Sequence, residues 1–358
     1  MGYKELYEAD RQSLAGFNIA RDHFMIDGQP GVLVTGANGF IGRHLSAMLE
    51  SNGWVVRRAQ RTAPGRDNVL IKSIGRNTDW RDAVVDMDAV VHLAARVHHA
   101  GEEQHCELYS ETNVEGTLQL ARSAMAAGVR QFVFLSTVLV HGRSSDGLRP
   151  FSEGDELTPR NIYARSKAAA ELGLKTMAPD GSMCITVIRP PLVYGAGARG
   201  NFKQLMRAVE RGVPLPFGSI VNRRAFISVQ NLASFILARL LRADRNFDVF
   251  LVADDEHVST PEFVRRLARA ADLSARLFPM PERLLSALLR IAGRTEAQES
   301  LIGSLELDLS KAAATGWRPP ITLDEGLRLA TMGSTINCGD AEIDRSAWRR
   351  QRLWGVRR

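Results

Sequence analysis

Tyr163 and Lys167 stand four residues apart in "NIYARSK", so a helix here places a phenol and an ammonium on one face. A phenol alone titrates near pH ~10, but an adjacent ammonium stabilises the phenolate. The pair can then exchange a proton with a substrate hydroxyl or carbonyl near neutral pH. Upstream, "QFVFLST" ends in Ser136 and Thr137, at a distance that lets either hydroxyl face the pair. On this reading Thr137 holds the substrate oxygen while hydride passes to or from a nicotinamide. A Y-x-x-x-K spacing alone marks many plain helix surfaces; its place after a strand ending in hydroxyls gives it chemical weight.

A dinucleotide needs its own holder, and "LVTGANGFIGRH" supplies one. Gly36, Gly39 and Gly42 form G-x-x-G-x-x-G between an apolar run and a helical pattern. The first glycine permits the tight turn, the second lets backbone approach a pyrophosphate, and the third lets helix pack on strand. The helix N-terminus then presents unpaired N–H groups and a positive dipole end to the phosphates. About 20 residues further on, NAD sites carry an acidic residue for the ribose hydroxyls. This chain reads "VVRRAQRTAPGR" there, with Arg57, Arg58 and Arg61 and no carboxylate before Asp67. That predicts NADP(H) as the favoured cofactor, with NAD(H) as the alternative.

The elements that must position these groups follow from the hydrophobic pattern. "GVLVTG", "WVVRRAQ", "VLIKSI", "DAVVHLAA", "QFVFLST" and "CITVIRP" read as strands. "FIGRHLSAMLESNG", "ETNVEGTLQLARSAMAAGV" and "YARSKAAAELGLKTM" read as amphipathic helices between them. This alternation predicts an α/β fold, a Rossmann-type doubly wound parallel sheet covered on both faces. After Pro190 the pattern turns to loops and short helices, and "FDVFLVAD" reads as one more strand. The expected division is an N-terminal extension (1–30), a dinucleotide-binding domain (31–189, with 226–254 returning to its sheet), a smaller and mostly helical C-terminal substrate domain (190–225 and 255–334), and a basic tail (335–358). The later material should cap the carboxyl ends of the strands, where open α/β sheets bind ligands.

Composition narrows the classes. The chain has 358 residues, 45% apolar and 24% charged, which suits a soluble globular protein with a large core. The net charge is +6, yet +4 of it falls in residues 341–358, where six Arg face Glu342 and Asp344. The body is too weakly basic for a nucleic-acid groove. The tail, with Trp348, Leu353 and Trp354 among its arginines, reads as a solvated extension; weak contact with an anionic membrane surface is the alternative. Cys106, Cys184 and Cys338 are odd in number and far apart, so no disulfide framework and a cytoplasmic location are expected. His98, His99, His105 and Cys106 lack a second ligand group at metal spacing and read as loop residues near the substrate mouth, so no metal is expected.

"VTGANGFIG", "HLAARVH", "NVEGT", "FVFLST", "YARSK", "RPPLVYGAGARGN" and "RRAFISVQNLA" occur in an order that resembles the extended short-chain dehydrogenase/reductases, the NAD-dependent epimerase/dehydratase family acting on nucleotide sugars. The resemblance spans roughly residues 31–330. It implies that Thr137, Tyr163 and Lys167 are catalytic, and that Ser136, Thr137, Asn201 and Arg224 contact a UDP-sugar. It further implies that Gly36, Asn38, Gly39, Phe40, Ile41, Gly42, Arg61, Leu93, Ala94, Ala95 and Lys167 contact the cofactor, in a homodimer built on helices 107–127 and 161–178. Within the family the chain looks most like bacterial O-antigen and lipopolysaccharide enzymes handling UDP-N-acetylhexosamines.

Departures from the family pattern sharpen the choice. Val138 and Leu139 replace the Asp-Glu of sugar 4,6-dehydratases, which removes the acid–base pair for loss of water. His141 replaces a usual tyrosine, Leu192 an asparagine, and Ser73 an aspartate that meets the adenine. Two activities remain: a 4-keto-6-deoxy sugar reductase, favoured by the arginines after strand two, and a UDP-glucose or UDP-N-acetylglucosamine 4-epimerase. A non-catalytic dinucleotide-binding regulator ranks below both, because Thr137, Tyr163 and Lys167 are all present.

Overall fold

The computed structural model describes residues 28–62, 68–97, 105–178, 183–242, 246–291 and 295–332. The N-terminal segment before them, the tail after them, and His98 and His99 lie outside the described residues. β1 (Gly31–Thr35), β2 (Val55–Gln60), β3 (Asn68–Leu70), β4 (Ala89–His92), β5 (Gln131–Leu135), β6 (Cys184–Arg189) and β9 (Phe247–Leu251) form one parallel sheet in the order β3-β2-β1-β4-β5-β6-β9. β1, β4 and β5 are buried throughout, as apolar strands covered on both faces must be. Strand order reverses between β1 and β4, and the crevice at their carboxyl ends is where such sheets take ligands.

Helices α1 (Phe40–Ser51) and α6 (Val229–Leu240) contribute Leu45, Leu49, Leu232 and Phe235 to the core on one face of the sheet. On the other face lie α2 (Arg81–Val84), α3 and α4 (Ile162–Met177), bringing Val84, Leu120 and Leu174 against β4 and β5. α3 runs as Cys106–Tyr109, a π-helical stretch Ser110–Glu115, and Gly116–Ala126. Every residue of α6 is buried, because the sheet lies under it and α1 and Trp317 pack against it as well. Its polar residues Gln230, Asn231, Ser234 and Arg239 are enclosed along with the apolar ones.

The expected return of 226–254 to the sheet is only partly what forms. Phe226–Ser228 is β8, and it pairs in parallel with β7 (Leu192–Tyr194) in a second, two-stranded sheet. Asp254 anchors this sheet: it accepts from Tyr194 Oη at 2.7 Å, Asn231 Nδ2 at 2.6 Å and the Ser228 N–H at 3.1 Å. The chain leaving β9 in the main sheet thus brings a buried carboxylate onto the second sheet, where these donors satisfy it. α5 (Asn201–Glu210), α7 (Thr260–Ala270), α8 (Glu282–Ile291), α9 (Thr295–Ile302), α10 (Ser310–Ala314) and α11 (Leu323–Met332) complete the fold. Among the described residues no helix is long and apolar enough to cross a membrane.

Candidate active site

The glycine turn sits at the crevice and is built by close approach. Gly36 has φ +69°, and a Cβ there would lie 2.9 Å from the Ala94 amide nitrogen. A Cβ on Gly42 would lie 2.3 Å from the Gly36 carbonyl oxygen and 2.6 Å from Ala37 Cα, so only glycine lets α1 start this close to β1. Gly39 caps α1 without any side-chain hydrogen bond, which leaves the first-turn N–H groups for an anion. These features fit a dinucleotide pyrophosphate. Asn38 is exposed beside the turn, Phe40 meets His44 edge-on at 5.7 Å, and Ile41 packs on the core.

Leu93, Ala94 and Ala95 follow β4 and form the opposite wall. The Leu93 N–H donates to the Thr35 carbonyl at 3.3 Å, and the Ala94 N–H to Thr35 Oγ1 at 3.2 Å. His92 holds both strands: its Nδ1 lies 2.6 Å from Thr35 Oγ1 and its Nε2 3.0 Å from Thr117 Oγ1. Thr117 spends its proton on the Asn113 carbonyl at 2.7 Å, so Nε2 must donate and Nδ1 must accept. A neutral ring is required, and burial pushes His92 down to about 3, with Lys167 adding repulsion.

Asn161 Oδ1 accepts from the Ala164 N–H at 2.8 Å and starts α4, which packs against the Val138–Val140 turn after Thr137. Thr137 is 8% exposed, and its hydroxyl accepts from the Leu139 N–H at 3.2 Å. Its neighbours are bracketed by β6, with the Ser136 N–H on the Ile188 carbonyl at 2.8 Å and the Val138 N–H on the Pro190 carbonyl at 3.0 Å. Lys167 is buried; its ammonium donates to the Leu135 carbonyl at 2.8 Å and lies 4.4 Å from the Phe134 ring centroid. Thr137 thus follows β5 directly, Lys167 bonds the last carbonyl of β5, and Tyr163 stands in the first turn of α4.

The electrostatics differ from the simple ammonium-and-phenolate expectation. Burial pushes the Tyr163 phenol up to about 12, and burial pulls Lys167 down to about 7 against the opposing pull of Glu171. A buried amine directed at a backbone carbonyl is a weak source of field, so Tyr163 is a proton donor in this state. The folded value of Lys167 lies below its unfolded one; its charge therefore opposes folding below about pH 7, and that cost lifts as pH rises towards the unfolded value. Lys167→Met should gain on wild type in urea melts by roughly 2 kcal/mol more at about pH 6 than at about pH 9. An equal difference at both values would refute this.

Two expectations need correction. Ser136 does not face the crevice: its hydroxyl donates to Glu171 in a buried cluster with Arg189, so it is taken from any substrate. Arg57 and Arg58 lie within β2, where side chains alternate between faces, so they cannot converge on one phosphate. Arg57 donates to the carbonyls of Ala83 at 3.1 Å and Val85 at 2.7 Å at the end of α2, and Arg58 pairs with Glu50 of α1. Only Arg61, exposed just past β2, remains near the ribose position. Arg224 is buried, with one guanidinium nitrogen given to the Gly303 and Glu299 carbonyls. Burial lowers it to about 10. Asn201 stands exposed at the first turn of α5, on a separate element.

The π-helical stretch of α3 supplies a residue that spacing did not single out. Asn113 accepts from the Arg96 N–H at 2.7 Å and donates to the Arg96 carbonyl and to Ser166 Oγ, both at 2.9 Å. Ser166 in turn donates to the Tyr163 carbonyl at 2.7 Å, so the loop after β4 and the first turn of α4 are tied together. Local widening of a helix at a functional site is a recurrent device. His141, the tyrosine replacement, is buried; it stacks on Phe151 at 5.3 Å and lies 2.8 Å from an Arg189 nitrogen. Burial first, then Arg189, lowers it to about 4, so it serves as a neutral acceptor. Among the described residues no group of three or more His, Cys, Asp or Glu could hold a metal.

A nicotinamide-dinucleotide enzyme of the short-chain dehydrogenase/reductase type is what this fold and this cluster define. More narrowly, the chain belongs to the NAD dependent epimerase/dehydratase family, whose model matches residues 32–253. A UDP-glucose 4-epimerase of Vibrio cholerae is 38% identical over 307 residues, covering 83% of this chain and 93% of that protein. An N-acetyl-alpha-D-glucosaminyl-diphospho-ditrans,octacis-undecaprenol 4-epimerase of Escherichia coli O157:H7 is 26% identical over 319 residues, 83% of this chain and 92% of that one. Among solved structures, MoeE5 in complex with UDP-glucuronic acid and NAD superposes with a TM-score of 0.68 at 26% identity, over 85% of this chain and 99% of the other.

Proposed function

We propose that the protein is a UDP-sugar 4-epimerase working with NAD, on UDP-glucose or UDP-N-acetylglucosamine. The observation that carries this reading is the placement of Arg57 and Arg58, whose side chains are spent on the C-terminal end of α2 and on Glu50. Without these two side chains, only Arg61 and the missing carboxylate still favour NADPH, and with it a reductase that draws on an exchanging NADPH pool. The 38% identical relative, a UDP-glucose 4-epimerase, supports the same choice.

A bound nicotinamide supplies a reversible hydride acceptor. Around it, Thr137 hydrogen-bonds the oxygen on C4 of the sugar, and Tyr163 takes the proton from that hydroxyl and later returns it. Lys167, one turn further along α4, would have to turn its ammonium towards the phenol to favour the phenolate while the proton is away. Either face of the C4 carbon would have to be open to hydride while the C4 oxygen stays within reach of Tyr163, which demands a sugar free to turn in the site.

Purified protein incubated with UDP-glucose or UDP-N-acetylglucosamine should form the 4-epimer by proton NMR, without net change in nicotinamide absorbance. Net consumption of NADPH with a UDP-4-keto-6-deoxy-N-acetylhexosamine, and no interconversion of 4-hydroxyl sugars, would establish the reductase instead. NAD should bind at least about tenfold more tightly than NADP, a difference of ~1.4 kcal/mol, in fluorescence titration; tighter NADP binding would reverse the cofactor assignment.

A further inference from the structure

Three charged side chains are buried together beneath the candidate site, and one of them is an anion. Lys167 and Glu171 lie one turn apart on the inward face of α4, and Arg189 ends β6. Arg189 Nε reaches both carboxylate oxygens of Glu171, at 3.1 and 3.0 Å, and Nη2 closes the fork on Oε2. The two side chains are 5% and 4% exposed. Glu171 Oε1 also accepts from Ser136 Oγ. The remaining nitrogen, Arg189 Nη1, bonds His141 Nε2 at 2.8 Å and the Glu153 carbonyl at 3.2 Å. Glu153 Oε1 accepts from the Leu251 N–H at 3.0 Å, which ties the cluster to β9.

We propose that Glu171 and Arg189 are the positioning pair of this site: through Ser136 and His141 they fix the segment that carries Thr137, and Glu171 places negative charge one turn from Lys167. The proposal rests on reading Thr137, Tyr163 and Lys167 as the catalytic set. A buried ion pair is weak as a source of stability, since apolar residues of the same volume often do as well or better. What this pair does that apolar residues cannot is to grip both flanks of Thr137 by directional hydrogen bonds. Among the described residues, the Thr137 side chain bonds only its own turn, so the position of its hydroxyl depends on those flanks.

Charge gives the pair a second role. The titratable and charged groups around Lys167 are Tyr163 and Glu171 on α4, His92 on β4 and Arg189 on β6. His92 is held neutral by its two hydroxyl partners. One carboxylate therefore serves two cations, and its fork is already given to Arg189. Burial holds the amine at about 7, and Glu171 on the same helix face opposes that pull. Removing the Glu171 charge leaves Arg189 unopposed, and a more positive field favours the deprotonated forms of both Lys167 and Tyr163.

Two variants of the full-length, NAD-bound protein separate the roles. Ser136→Ala cuts the link to Thr137 while leaving the ion pair; kcat should fall about tenfold, with KM and the ionisation of Tyr163 unchanged. Glu171→Gln keeps a hydrogen-bond acceptor for Ser136 but removes the charge. The Tyr163 ionisation, read as near-ultraviolet tyrosinate absorbance against a Tyr163→Phe reference, should then move down by about one pH unit. The acid limb of the kcat profile should follow it. Wild-type kcat in Ser136→Ala, or an unmoved tyrosinate midpoint in folded Glu171→Gln, would overturn the proposal. Should Glu171→Gln fail to fold, Glu171→Asp keeps the charge on a shorter arm: a lowered kcat with an unmoved midpoint supports the pair, and wild-type kcat overturns it. The tyrosinate reading needs no substrate, so a wrong sugar assignment leaves it intact.

Discussion

Tyr163→Phe should lower turnover by roughly 10²–10⁴-fold, the range that a positioned acid–base group contributes. NAD affinity and thermal stability should stay near wild type. The change deletes one oxygen and keeps the ring in the first turn of α4, where Asn161 and Ser166 hold the backbone by bonds that do not involve the phenol. Because burial pushes the phenol up to about 12, the group carries its proton at neutral pH before ligands bind. The first chemical event must therefore lower that value, and a variant without the hydroxyl has nothing to lower. Progress curves by NMR, beside fluorescence titration with NAD, make the measurement. Turnover within a factor of about three of wild type would remove Tyr163 from the proposed chemistry.

Gly42→Ala should be the most damaging single-atom addition at the cofactor turn. Its Cβ meets two backbone positions, the Gly36 carbonyl oxygen at 2.3 Å and Ala37 Cα at 2.6 Å, and neither can rotate away as a side chain would. α1 must shift off β1, and its first-turn N–H groups leave their common focus. We expect a loss of about 1–3 kcal/mol in folding stability, as for other overpacked sites. NAD binding should weaken more than tenfold. Gly53→Ala is the control: nothing lies within 4 Å of its Cβ, so the cost is the φ of +86° alone, about 1–2 kcal/mol without loss of NAD affinity. Equal NAD affinity in Gly42→Ala and wild type would show that the close approach is not what shapes the turn.

Alternating strands and helices, the glycine turn and the Tyr163–Lys167 spacing were legible in the sequence because each is a local pattern with one periodicity. The fate of Arg57 and Arg58 was not. Three residues of context show two adjacent arginines; only pairing in the sheet assigns them to opposite faces, beside partners at Glu50 and Val85. Ser136 was misread for a related reason, since Arg189, which helps to form its polar surroundings, enters from β6 more than fifty residues later. Glu171 left a readable sign, standing as far beyond Lys167 as Lys167 stands beyond Tyr163 on the same helix. Asn113 stood inside "NVEGT", but its task depends on a local widening of α3 that no propensity announces.

The full enclosure of α6 has a consequence for anyone recombining this family's parts. Its residues Leu232, Phe235 and Ile236 belong to the packing beneath the sheet, yet Asn231 bonds the Ile321 backbone and Ser234 accepts from the Trp317 indole at 3.2 Å. The main sheet and the segment around Trp317 and Ile321 therefore share one helix as common property. A chimera cut at residue 190 would import a foreign α6 beneath the native strands β1, β4 and β5. Grafts that exchange only 195–222 and 257–310, and keep α6 together with Trp317, leave that shared wall whole and should melt in a single transition.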